Sequence, residues 1–464
     1  MFIGRERELN TLEKLYNSNK FEFAVIYGRR RVGKTALINE FLKNKRSIYF
    51  MGVESNSKQN LENFSKSVIE FGTSVAANTS FASFQDALEY VFELSKNERI
   101  ILAIDEYPYI AGAAKSLAST LQMLIDKHKD SSKLMLILCG SSMSFMENQV
   151  LSYKAPLYGR KTAQIKVLPF SFEETFRYLK NANGEDRALI YGIVGGTPQY
   201  LLQINDKSSI EDIIKSTYLN ANSPFFDEPI NLLKQEVREP AIYNAIITAI
   251  ATGASRLSEI SGKVGEETST CSFYIKNLIS LGIIKKESPY GEENSKRSLY
   301  SVADNMFRFW YRFVPDNSSL IARGADEAAW GRIKPFVSEY MGTIFEEICK
   351  EYLWKQLIAG RSPIDFRSLG RWWGNDAKEK KQVEIDIIGE QDKSAAVFAE
   401  CKWTNEKVDL SVLDKLIYRS KLFSYENTHL YLFSKCGFTT ACINKAEEMK
   451  NVTLITYDDI INGF

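Results

Sequence analysis

The sequence predicts a multidomain α/β protein whose first domain is built on a parallel sheet flanked by helices. Three observations favour this class: a glycine-rich loop joins an apolar strand to a helix within residues 21–42, a second apolar strand ends in an acidic pair at 105 and 106, and two late strands carry an acidic residue and an E-x-K sequence. With 464 residues, 44% of them hydrophobic, the chain has the material for about two to four domains with their own cores.

Composition and charge exclude several classes of protein. The net charge is +1, so no overall field points to nucleic acid or to a membrane surface. The chain contains no run of about 18 apolar residues, and its opening, "MFIGRERELNTLEKL", lacks the apolar core of a signal peptide. The six cysteines have no metal-binding or disulfide spacing, and His128 and His429 are too few for a histidine-based metal site or triad. We therefore expect a reduced, cytoplasmic protein with no membrane partner.

The glycine-rich loop has the pattern of a phosphate-binding motif. The strand "FEFAVIYG" ends at Gly28, and G-x-x-x-x-G-K-T then leads into the helix-forming "ALINEFLKN". In such a loop the backbone N–H groups face phosphate oxygens, and the helix N-terminus adds positive potential. Lys34 is expected to reach the β- and γ-phosphates of ATP, and Thr35 to bind Mg²⁺. The predicted ATP contacts in this segment are Gly28, Arg29, Arg30, Arg31, Val32, Gly33, Lys34, Thr35 and Ala36.

The three consecutive arginines, 29–31, occupy the variable positions of this motif. Because backbone groups make the phosphate cradle, the arginine side chains are not required for it. We expect at least two of them to point outward, to solvent or to acidic groups of another domain. The alternative is a direct catalytic role.

A second motif follows the apolar strand at residues 100–104, which ends in Asp105 and Glu106. Asp105 is expected to hold Mg²⁺ through water, and Glu106 to polarise the attacking water. A buried strand followed by an acidic turn is common by itself, but its position downstream of the glycine-rich loop favours an ATPase. A further strand is predicted in "RSIYFMGVE", between the two motifs.

Two later positions are candidates for contact with the γ-phosphate. The apolar strand in "KLMLILCGSSMSFM" ends in small polar residues, so Ser141 or Ser142 is a candidate sensor, with a helix cap as the alternative. Arg160 precedes the fifth strand and is a candidate catalytic arginine, acting in cis or from a neighbouring subunit of a homo-oligomer. The alternative for Arg160 is a plain surface arginine.

Several segments together resemble a known family. "FIGRERELNTLEKL" resembles the segment before the phosphate loop in origin-recognition-like and STAND ATPases, and "VGGTPQYL" resembles the G-x-P element of their helical lid. With "IYGRRRVGKTALI", "LAIDEYPYI" and "APLYGRKT", the chain looks like the archaeal-type ATPase family of prokaryotes, which is AAA+-like and carries an appended C-terminal domain. The resemblance implies an ASCE-type P-loop core and adenine contacts near Phe2 to Arg5 and at Pro198. It also implies nucleotide roles for Gly28, Gly33, Lys34, Thr35, Asp105 and Glu106.

Residues 238–304 have the pattern of a winged helix. Three helices are predicted in "REPAIYNAIITAIATGA", "RLSEISGKVG" and "TSTCSFYIKNLISLG", the last capped by Thr268, and a two-stranded wing follows. DNA readout would use the third helix, yet Lys276 is its only cation, and residues 238–302 hold eight Lys/Arg against seven Asp/Glu. A packing or protein-contact module is therefore the alternative. The aromatic segment 305–317 is expected to dock two domains, with stacking on single-stranded bases as the alternative.

The C-terminal region holds a second set of candidate catalytic residues. Asp386 lies on a predicted strand, and Glu400 and Lys402 lie two apart on the next strand, so they point to the same face. This is the arrangement of PD-(D/E)xK nucleases, in which two carboxylates bind a divalent metal and the lysine orients the attacking water. Glu346, in "GTIFEE", matches the helix glutamate that such nucleases often add as a ligand. The alternative is a half-exposed hairpin with a charged outer face.

The expected C-terminal metal is Mg²⁺ or Mn²⁺, held by Glu346, Asp386 and Glu400. The family resemblance also implies a restriction-endonuclease-like fold in this region. Residues 336–464 carry 17 Lys/Arg against 20 Asp/Glu, which does not favour tight DNA binding by this region alone.

The predicted domains follow one another along the chain: an ATPase core at 1–170, a helical lid at 171–237, a winged helix at 238–304, an aromatic docking segment at 305–335 and a nuclease-like domain at 336–464. The leading hypothesis is a Mg²⁺-dependent ATPase whose nucleotide state controls access of the last domain to DNA or another nucleic acid. A second hypothesis is a STAND-type signalling switch that binds proteins and keeps the C-terminal fold as a silent scaffold. A third is an ATP-dependent partner-recruiting module without nuclease activity.

Overall fold

The computed structural model describes residues 2–73, 79–292, 295 and 297–463. The chain divides into two units, of which the first comprises Met1–Glu174 and Gly196–Gln203 and the second comprises Thr175–Gly195 and Ile204–Phe464. Within the described part of the chain, no helix combines the length and the apolar character that crossing a bilayer requires.

A parallel five-stranded sheet forms the centre of the first unit. Its strands are β1 (Glu22–Tyr27), β2 (Ser47–Met51), β3 (Ile100–Asp105), β4 (Leu134–Gly140) and β5 (Ala163–Lys166). Their order in the sheet is β2-β3-β4-β1-β5, and all four pairings are parallel. Every residue of β1, β3 and β4 is buried, as central strands of a helix-covered parallel sheet require. The predicted α/β class with a parallel sheet is confirmed, and β2 is the strand expected between the two motifs.

Helices connect these strands and build the core around them. The helices up to residue 203 are α1 (Glu6–Asn17), α2 (Lys34–Leu42), α3 (Ser57–Thr73), α4 (Phe84–Leu94), α5 (Tyr107–Ala113), α6 (Leu117–His128), α7 (Met143–Phe145), α8 (Phe172–Tyr178), α9 (Gly184–Val194) and α10 (Pro198–Leu201), with a π-helical turn at Met146–Leu151. Leu12 of α1, Leu37 of α2 and Ile26 of β1 share one fully buried cluster with Val32. Since Val32 belongs to the loop between β1 and α2, the core itself holds the glycine-rich loop in place.

The second unit starts as a helical assembly that includes α9. Its further helices are α11 (Ile210–Tyr218), α12 (Pro224–Glu236), α13 (Pro240–Ala251), α14 (Leu257–Val264), α15 (Thr268–Ser280), α16 (Asn305–Ile321), α17 (Asp326–Ile333), α18 (Val337–Ile358), α19 (Leu410–Ser420), α20 (Thr440–Glu448) and α21 (Tyr457–Asn462), with a 3₁₀ turn at Lys334–Phe336.

Residues 238–304 contain the helices α13, α14 and α15, followed by the antiparallel strands β6 (Ile284–Glu287) and β7 (Leu299–Val302). Thr268 was expected to cap α15, but it is the first helical residue, and Glu267 is the N-cap with φ −64° and ψ 149°. The expected cap is therefore wrong by one position, because the extended backbone ends at Glu267 rather than at Thr268.

The aromatic segment forms α16, and its rings are part of the core. Phe307 and Phe309 are fully buried, so the alternative role of this segment in stacking on bases is not available to them. Trp310 Nε1 donates to Phe226 O of α12 at 2.7 Å, and Asn305 Nδ2 donates to Tyr191 O of α9 at 3.0 Å. Helix α16 therefore ties together elements within the second unit, which agrees with a packing role.

A mixed five-stranded sheet closes the second unit. Its strands are β8 (Gly370–Asp376), β9 (Lys381–Glu390), β10 (Ala395–Lys402), β11 (Asn427–Ser434) and β12 (Val452–Thr456), in the order β12-β11-β10-β9-β8. The pairs β8–β9 and β9–β10 are antiparallel, whereas β10–β11 and β11–β12 are parallel. Strand β10 is the central one and is buried at seven of its eight residues, and its last residues are those of the E-x-K sequence.

Candidate nucleotide site and C-terminal acidic site

The glycine-rich loop starts where β1 ends, and two of its glycines are required by geometry. A Cβ atom on Gly28 would lie 2.3 Å from the carbonyl oxygen of Val167, so no larger residue fits there. Gly33 has φ +90°, a left-handed conformation that disfavours other residues, and α2 begins immediately after it. The loop thereby turns its backbone from strand to helix in the way that phosphate binding needs.

Lys34 and Thr35 point to the carboxyl edge of the sheet, where Asp105 ends β3. Lys34 Nζ donates to the carbonyl oxygens of Gly28 and Arg29 at 2.8 and 2.9 Å. Thr35 Oγ1 donates to Asp105 Oδ2 at 2.7 Å. An ammonium group inside the loop, next to a hydroxyl and carboxylate pair, supplies the charges and hard oxygen ligands that a magnesium-bound triphosphate requires.

Glu106 follows Asp105 in a strained backbone conformation, with φ +49° and ψ 43°. Its Oε2 accepts a hydrogen bond from Ser141 Oγ at 2.8 Å and lies 3.4 Å from Ser141 N, at the end of β4. Ser142 is the N-cap residue of α7, but its side chain makes no capping hydrogen bond. Of the two serines, Ser141 is therefore the one that contacts a predicted catalytic group.

The arginines at 29–31 lie in three different environments, and the expectation that at least two of them point outward stays a prediction. Arg29 is 5% exposed, and its Nη2 donates to Thr197 Oγ1 at 2.7 Å. Arg30 is half-buried and donates to the hydroxyl of Tyr109 at 2.8 Å. Arg31 is half-buried, with its guanidinium carbon 5.9 Å from the ring centroid of Tyr200. Each of the three side chains thus has a polar or aromatic neighbour within the same unit.

The residues proposed for adenine contact lie next to the loop. Phe2 packs against the buried cluster that contains Val32. The ring of Pro198 would be 3.6 Å from a Cβ atom built on Gly33. Arg5 anchors this region, because its Nη2 donates to Val32 O at 3.1 Å and to Leu168 O at 2.5 Å.

Arg160 lies at the opposite edge of the sheet from the phosphate loop. Thr162 N, two residues later, donates to Phe23 O near the amino end of β1, whereas Gly28 follows its carboxyl end. Five strand residues separate these positions by roughly 17 Å, so a contact in cis is disfavoured. Action on a neighbouring subunit remains a prediction.

The guanidinium of Arg160 is already engaged. Its Nε and Nη2 contact the two carboxylate oxygens of Asp126 at 2.9 and 2.6 Å, and its Nη1 donates to Pro156 O at 2.9 Å. Such a bidentate pair holds the segment before β5 against α6. A catalytic role would require these contacts to break.

In the second unit, Glu400 lies between two cations. Lys402 Nζ is 2.6 Å from Glu400 Oε1, and Arg419 Nη1 of α19 is 3.1 Å from Glu400 Oε2. Asp386 Oδ2 accepts a hydrogen bond from Cys401 N at 2.8 Å. This side-chain contact joins β9 to β10 just beyond their last paired residues, Ile387 and Ala399. Burial and the charge of Asp386 raise the pKa of Glu400, which Lys402 opposes.

Glu346 of α18 shares this environment. Burial and the charge of Asp386 raise its pKa to about 7. Asp386 is thus the electrostatic neighbour of both glutamates, as the sequence predicted for a converging acidic site. Among the described residues, however, the three-residue group whose ligand atoms lie within 4.8 Å of one another is Glu89, Glu93 and His128, not the predicted set. The three C-terminal carboxylates therefore influence one another electrostatically, but their oxygens are not all within 4.8 Å of one another, the spacing that a shared metal ion would require.

Sequence reasoning missed several residues of both sites. Tyr49 OH donates to Asp105 Oδ2 at 3.0 Å, and burial and Asp105 raise the pKa of this tyrosine. Thr197 and Arg419 likewise contact the predicted site residues Arg29 and Glu400 through side chains on remote segments. For Tyr49 a signal existed, since a polar aromatic residue on a strand beside β3 can reach its last carboxylate. For Thr197 and Arg419 the sequence held no signal, because their partners are 168 and 19 positions away in the chain.

The chain is similar to known proteins over most of its length. Residues 2–204 match a family described as an ATPase domain predominantly from Archaea, and residues 310–413 match one described as archaea bacterial proteins of unknown function. An uncharacterized protein of Methanocaldococcus jannaschii is 34% identical over 434 residues, which are 93% of this chain and 94% of that protein. An uncharacterized ATP-binding protein of the same organism is 54% identical over 46 residues, which are 10% of this chain and 78% of that protein.

Among solved structures, the Walker-type ATPase paby2304 of Pyrococcus abyssi has a TM-score of 0.50 and 19% identity to this chain. The similarity covers 67% of this chain and 96% of the other. At that identity the similarity concerns the fold alone, and it agrees with the parallel sheet and its phosphate loop.

Proposed function

Since this chain belongs to the ATPase family found predominantly in Archaea, we propose that it is an ATP-dependent switch for a nuclease-like site. ATP binding and hydrolysis in the first unit would control a metal-dependent acidic site in the second, with nucleic acid as the substrate. The observation that supports the ATPase part of the proposal is the phosphate loop with Lys34 inside it and with Thr35 in contact with Asp105 at the end of β3.

In the nucleotide site, each side chain has a separate task. Lys34 exchanges its two loop carbonyl contacts for oxygens of the β- and γ-phosphates. Thr35 and Asp105 fit a magnesium ion, because both offer hard oxygen ligands and they already lie 2.7 Å apart. When bound, Mg²⁺ neutralises charge on the phosphates.

Glu106 is the proposed general base, and Ser141 is the residue that positions it. The hydrogen bond from Ser141 Oγ holds the carboxylate towards β4 and fixes one of its oxygens. The other oxygen can then accept a proton from the attacking water. Because Glu106 sits in a left-handed backbone conformation, this orientation depends on the contact with Ser141.

The nuclease half rests on the common environment of Glu346, Asp386 and Glu400, with Lys402 beside them. These carboxylates fit a divalent cation, since the raised pKa values of both glutamates reflect burial and repulsion that a cation would relieve. Glu346, Asp386 and Glu400 would hold the ion, which when bound lowers the pKa of a water. Lys402 would leave Glu400, orient that water and stabilise the negative charge that develops on phosphate. The proposed winged helix at 238–304 would present DNA to this site.

A specific observation favours a second candidate, the STAND-type switch with a silent scaffold. Glu400 is neutralised by Lys402 and Arg419 without any metal, and the three carboxylates do not close to ligand spacing. An internal salt bridge of this kind stabilises a fold without chemistry. If the protein is such a switch, the first unit hydrolyses ATP and the second unit binds a protein partner.

A cleavage assay tests the proposal. Full-length protein is incubated with labelled single- and double-stranded DNA and RNA, in Mg²⁺ or Mn²⁺, with ATP, ADP or no nucleotide. Asp386→Ala is expected to abolish cleavage, whereas the matched control Asp392→Ala, in the exposed turn between β9 and β10, should leave it intact. Lys34→Ala should remove the dependence on ATP. Absence of cleavage in every nucleotide state would contradict the nuclease half and favour the scaffold.

A further inference from the structure

A surface segment of the first unit combines exposed aromatic rings with lysines. We call residues 152–162, between the π-helical turn and β5, the Tyr-Lys loop. Tyr153 is 72% exposed and Tyr158 is 50% exposed. The Nζ atom of Lys154 lies 5.5 Å from the ring centroid of Tyr153, and that of Lys161 lies 5.6 Å from the ring centroid of Tyr158. The loop therefore presents two rings to solvent, each with an ammonium group beside it.

The charge of this segment has one sign. Residues 151–166 contain four Lys/Arg and no Asp/Glu. Two of these cations are paired, Arg160 with Asp126 at 2.6 Å and Lys166 with Glu147 at 3.9 Å. Across the described residues, no carboxylate forms an ion pair with Lys154 or Lys161. These two lysines are thus available to an anionic partner.

The rings are held at the surface by the structure beneath them. Leu157, between the two tyrosines, is 1% exposed and anchors the loop in the core. Arg160 ties the loop to Asp126 and donates to the carbonyl oxygens of Pro156 and Tyr158 at 2.9 and 3.3 Å. Leu157 and Arg160 thus fix the backbone of the loop in a position that leaves both tyrosine rings exposed.

A polynucleotide strand matches this combination better than a protein does. Tyrosine rings stack on bases of any sequence, and lysines beside them contact the phosphates that join those bases. Lysine is depleted in protein–protein interfaces, and a symmetric contact between two copies of the loop would bring like charges together. The partner implied by the chemistry is an unpaired strand, because only unpaired bases offer their faces for stacking.

We propose that the Tyr-Lys loop binds a single strand of nucleic acid, with bases on Tyr153 and Tyr158 and phosphates on Lys154 and Lys161. The loop belongs to the first unit, and the C-terminal acidic site belongs to the second. The loop also precedes β5 at the edge of the sheet opposite the phosphate loop, so a bound strand leaves the entry to the nucleotide loop open.

Fluorescence anisotropy with full-length protein tests this assignment, using labelled dT20 and rU20 as probes. The double variant Tyr153→Ser/Tyr158→Ser is expected to bind the better probe at least about tenfold more weakly, since two bases stacked on aromatic rings together contribute more than this factor. Tyr153→Phe/Tyr158→Phe keeps both rings and should bind within about twofold of the wild type. ATP hydrolysis without nucleic acid should be the same in all of them.

A second pair of variants tests the lysines. Lys154→Gln/Lys161→Gln should reduce the slope of log affinity against log salt by about 1.4, because each phosphate contact to a single strand contributes about 0.7. Lys58→Gln, at an 86% exposed lysine of the same unit, and Phe336→Ser, at a 49% exposed ring of the second unit, are matched controls that should not change binding.

Three results would overturn the proposal: wild-type affinity in the double serine variant, an equal loss in the controls, or no binding of either probe by the wild type. If the serine variant instead changes the mass measured by light scattering and leaves probe binding intact, the loop contacts a second copy and the proposal is wrong. The Asp386→Ala variant should bind both probes normally. Failure here is therefore distinguishable from failure of the proposed nuclease site.

Discussion

Glu106 and Ser141 show how single residues of the nucleotide site depend on one another. The carboxylate belongs to the end of β3 and the hydroxyl to the end of β4, and these strands are neighbours in the sheet. The left-handed backbone of Glu106 has a conformational cost, which the contact with Ser141 helps to offset.

Replacing Glu106 by Gln should preserve ATP binding and stop turnover. The substitution leaves Lys34, Thr35 and Asp105 intact, but an amide cannot take a proton from water. Steady-state hydrolysis and ATP titration by calorimetry measure the two effects. We expect kcat to fall by about 10²- to 10⁴-fold, the usual contribution of a general base, while Kd stays within about threefold. Wild-type turnover in this variant would show that another group is the base.

The buried Arg29 gives a prediction about stability. Thr197→Val removes one hydrogen-bond acceptor of the Arg29 guanidinium and should lower the free energy of unfolding by about 0.5–1.5 kcal/mol, the usual contribution of one hydrogen bond. Urea unfolding followed by tryptophan fluorescence and circular dichroism measures it. The control is Thr120→Val on the partly buried face of α6. A loss below about 0.5 kcal/mol for Thr197→Val would contradict the buried contact.

At the scale of elements, the segment before β5 is joined to α6 by Arg160 and Asp126. This contact fixes how the chain leaves the π-helical turn and enters the last strand of the sheet. It also places Arg160 far from the phosphate loop of its own chain. A structural role and a catalytic role on a neighbouring subunit therefore predict different mutant behaviour.

Asp126→Ala should lower the melting temperature, and Arg160→Ala should lower it at least as much, because it also removes the hydrogen bonds to Pro156 and Tyr158. The double variant should lower it no further than Arg160→Ala. This follows because both substitutions break the same bidentate pair. Differential scanning fluorimetry measures the shift. A selective loss of turnover in Arg160→Ala, restored by mixing with Lys34→Ala, would instead identify an arginine supplied by a neighbouring subunit.

At the scale of the whole molecule, the chain carries an ATP-binding unit and a second unit with an acidic site. The two sites differ in the ionisable groups that would meet a ligand. A lysine faces the incoming phosphates in the first, whereas three carboxylates share one buried region in the second. The second site should therefore respond to pH and to cations when the first is empty.

In EDTA and without nucleotide, stability should decrease as pH rises from about 5 to 7. The pKa of Glu346 is about 7 in the folded chain against an ordinary 4.5, so in this window the folded state holds more protons than the unfolded state. Ionisation near pH 7 then removes the stabilisation. Melting temperatures across this range measure the effect. Glu346→Gln cannot ionise and should flatten the curve, and an unchanged slope in that variant would contradict the assignment.

If the second site binds a divalent metal, the metal should offset the loss of stability at high pH. In the nucleotide-free Thr35→Ala background, which removes a ligand from the first site, Mn²⁺ should raise the melting temperature at pH 8, and Asp386→Ala should abolish the rise. Lys402→Ala should retain metal binding, because it removes a cation from Glu400, and lose only cleavage. If calorimetry finds no Mn²⁺ bound at millimolar concentration, the C-terminal region is a scaffold.

The sequence alone predicted the ATPase core, because its motifs are local. Strand, glycine-rich loop and helix are contiguous at 22–42, and an acidic pair directly follows a buried strand, so spacing determines which groups reach the sheet edge. The same logic brought Asp386, Glu400 and Lys402 onto adjoining strands. Periodicity also identified the helices of 238–280, with an error of one residue at the cap of α15.

Only the tertiary structure identified Thr197 and Tyr109 as neighbours of Arg29 and Arg30, since they lie 168 and 79 positions away in the chain. It also decided that Arg160 is paired with Asp126, that Arg419 joins Glu400, and that α16 is core. The physical reason is the same in each case. Backbone pattern is encoded within a few residues, whereas the partner of a charged side chain is whichever group the packed chain brings within about 3 Å, at any distance in sequence.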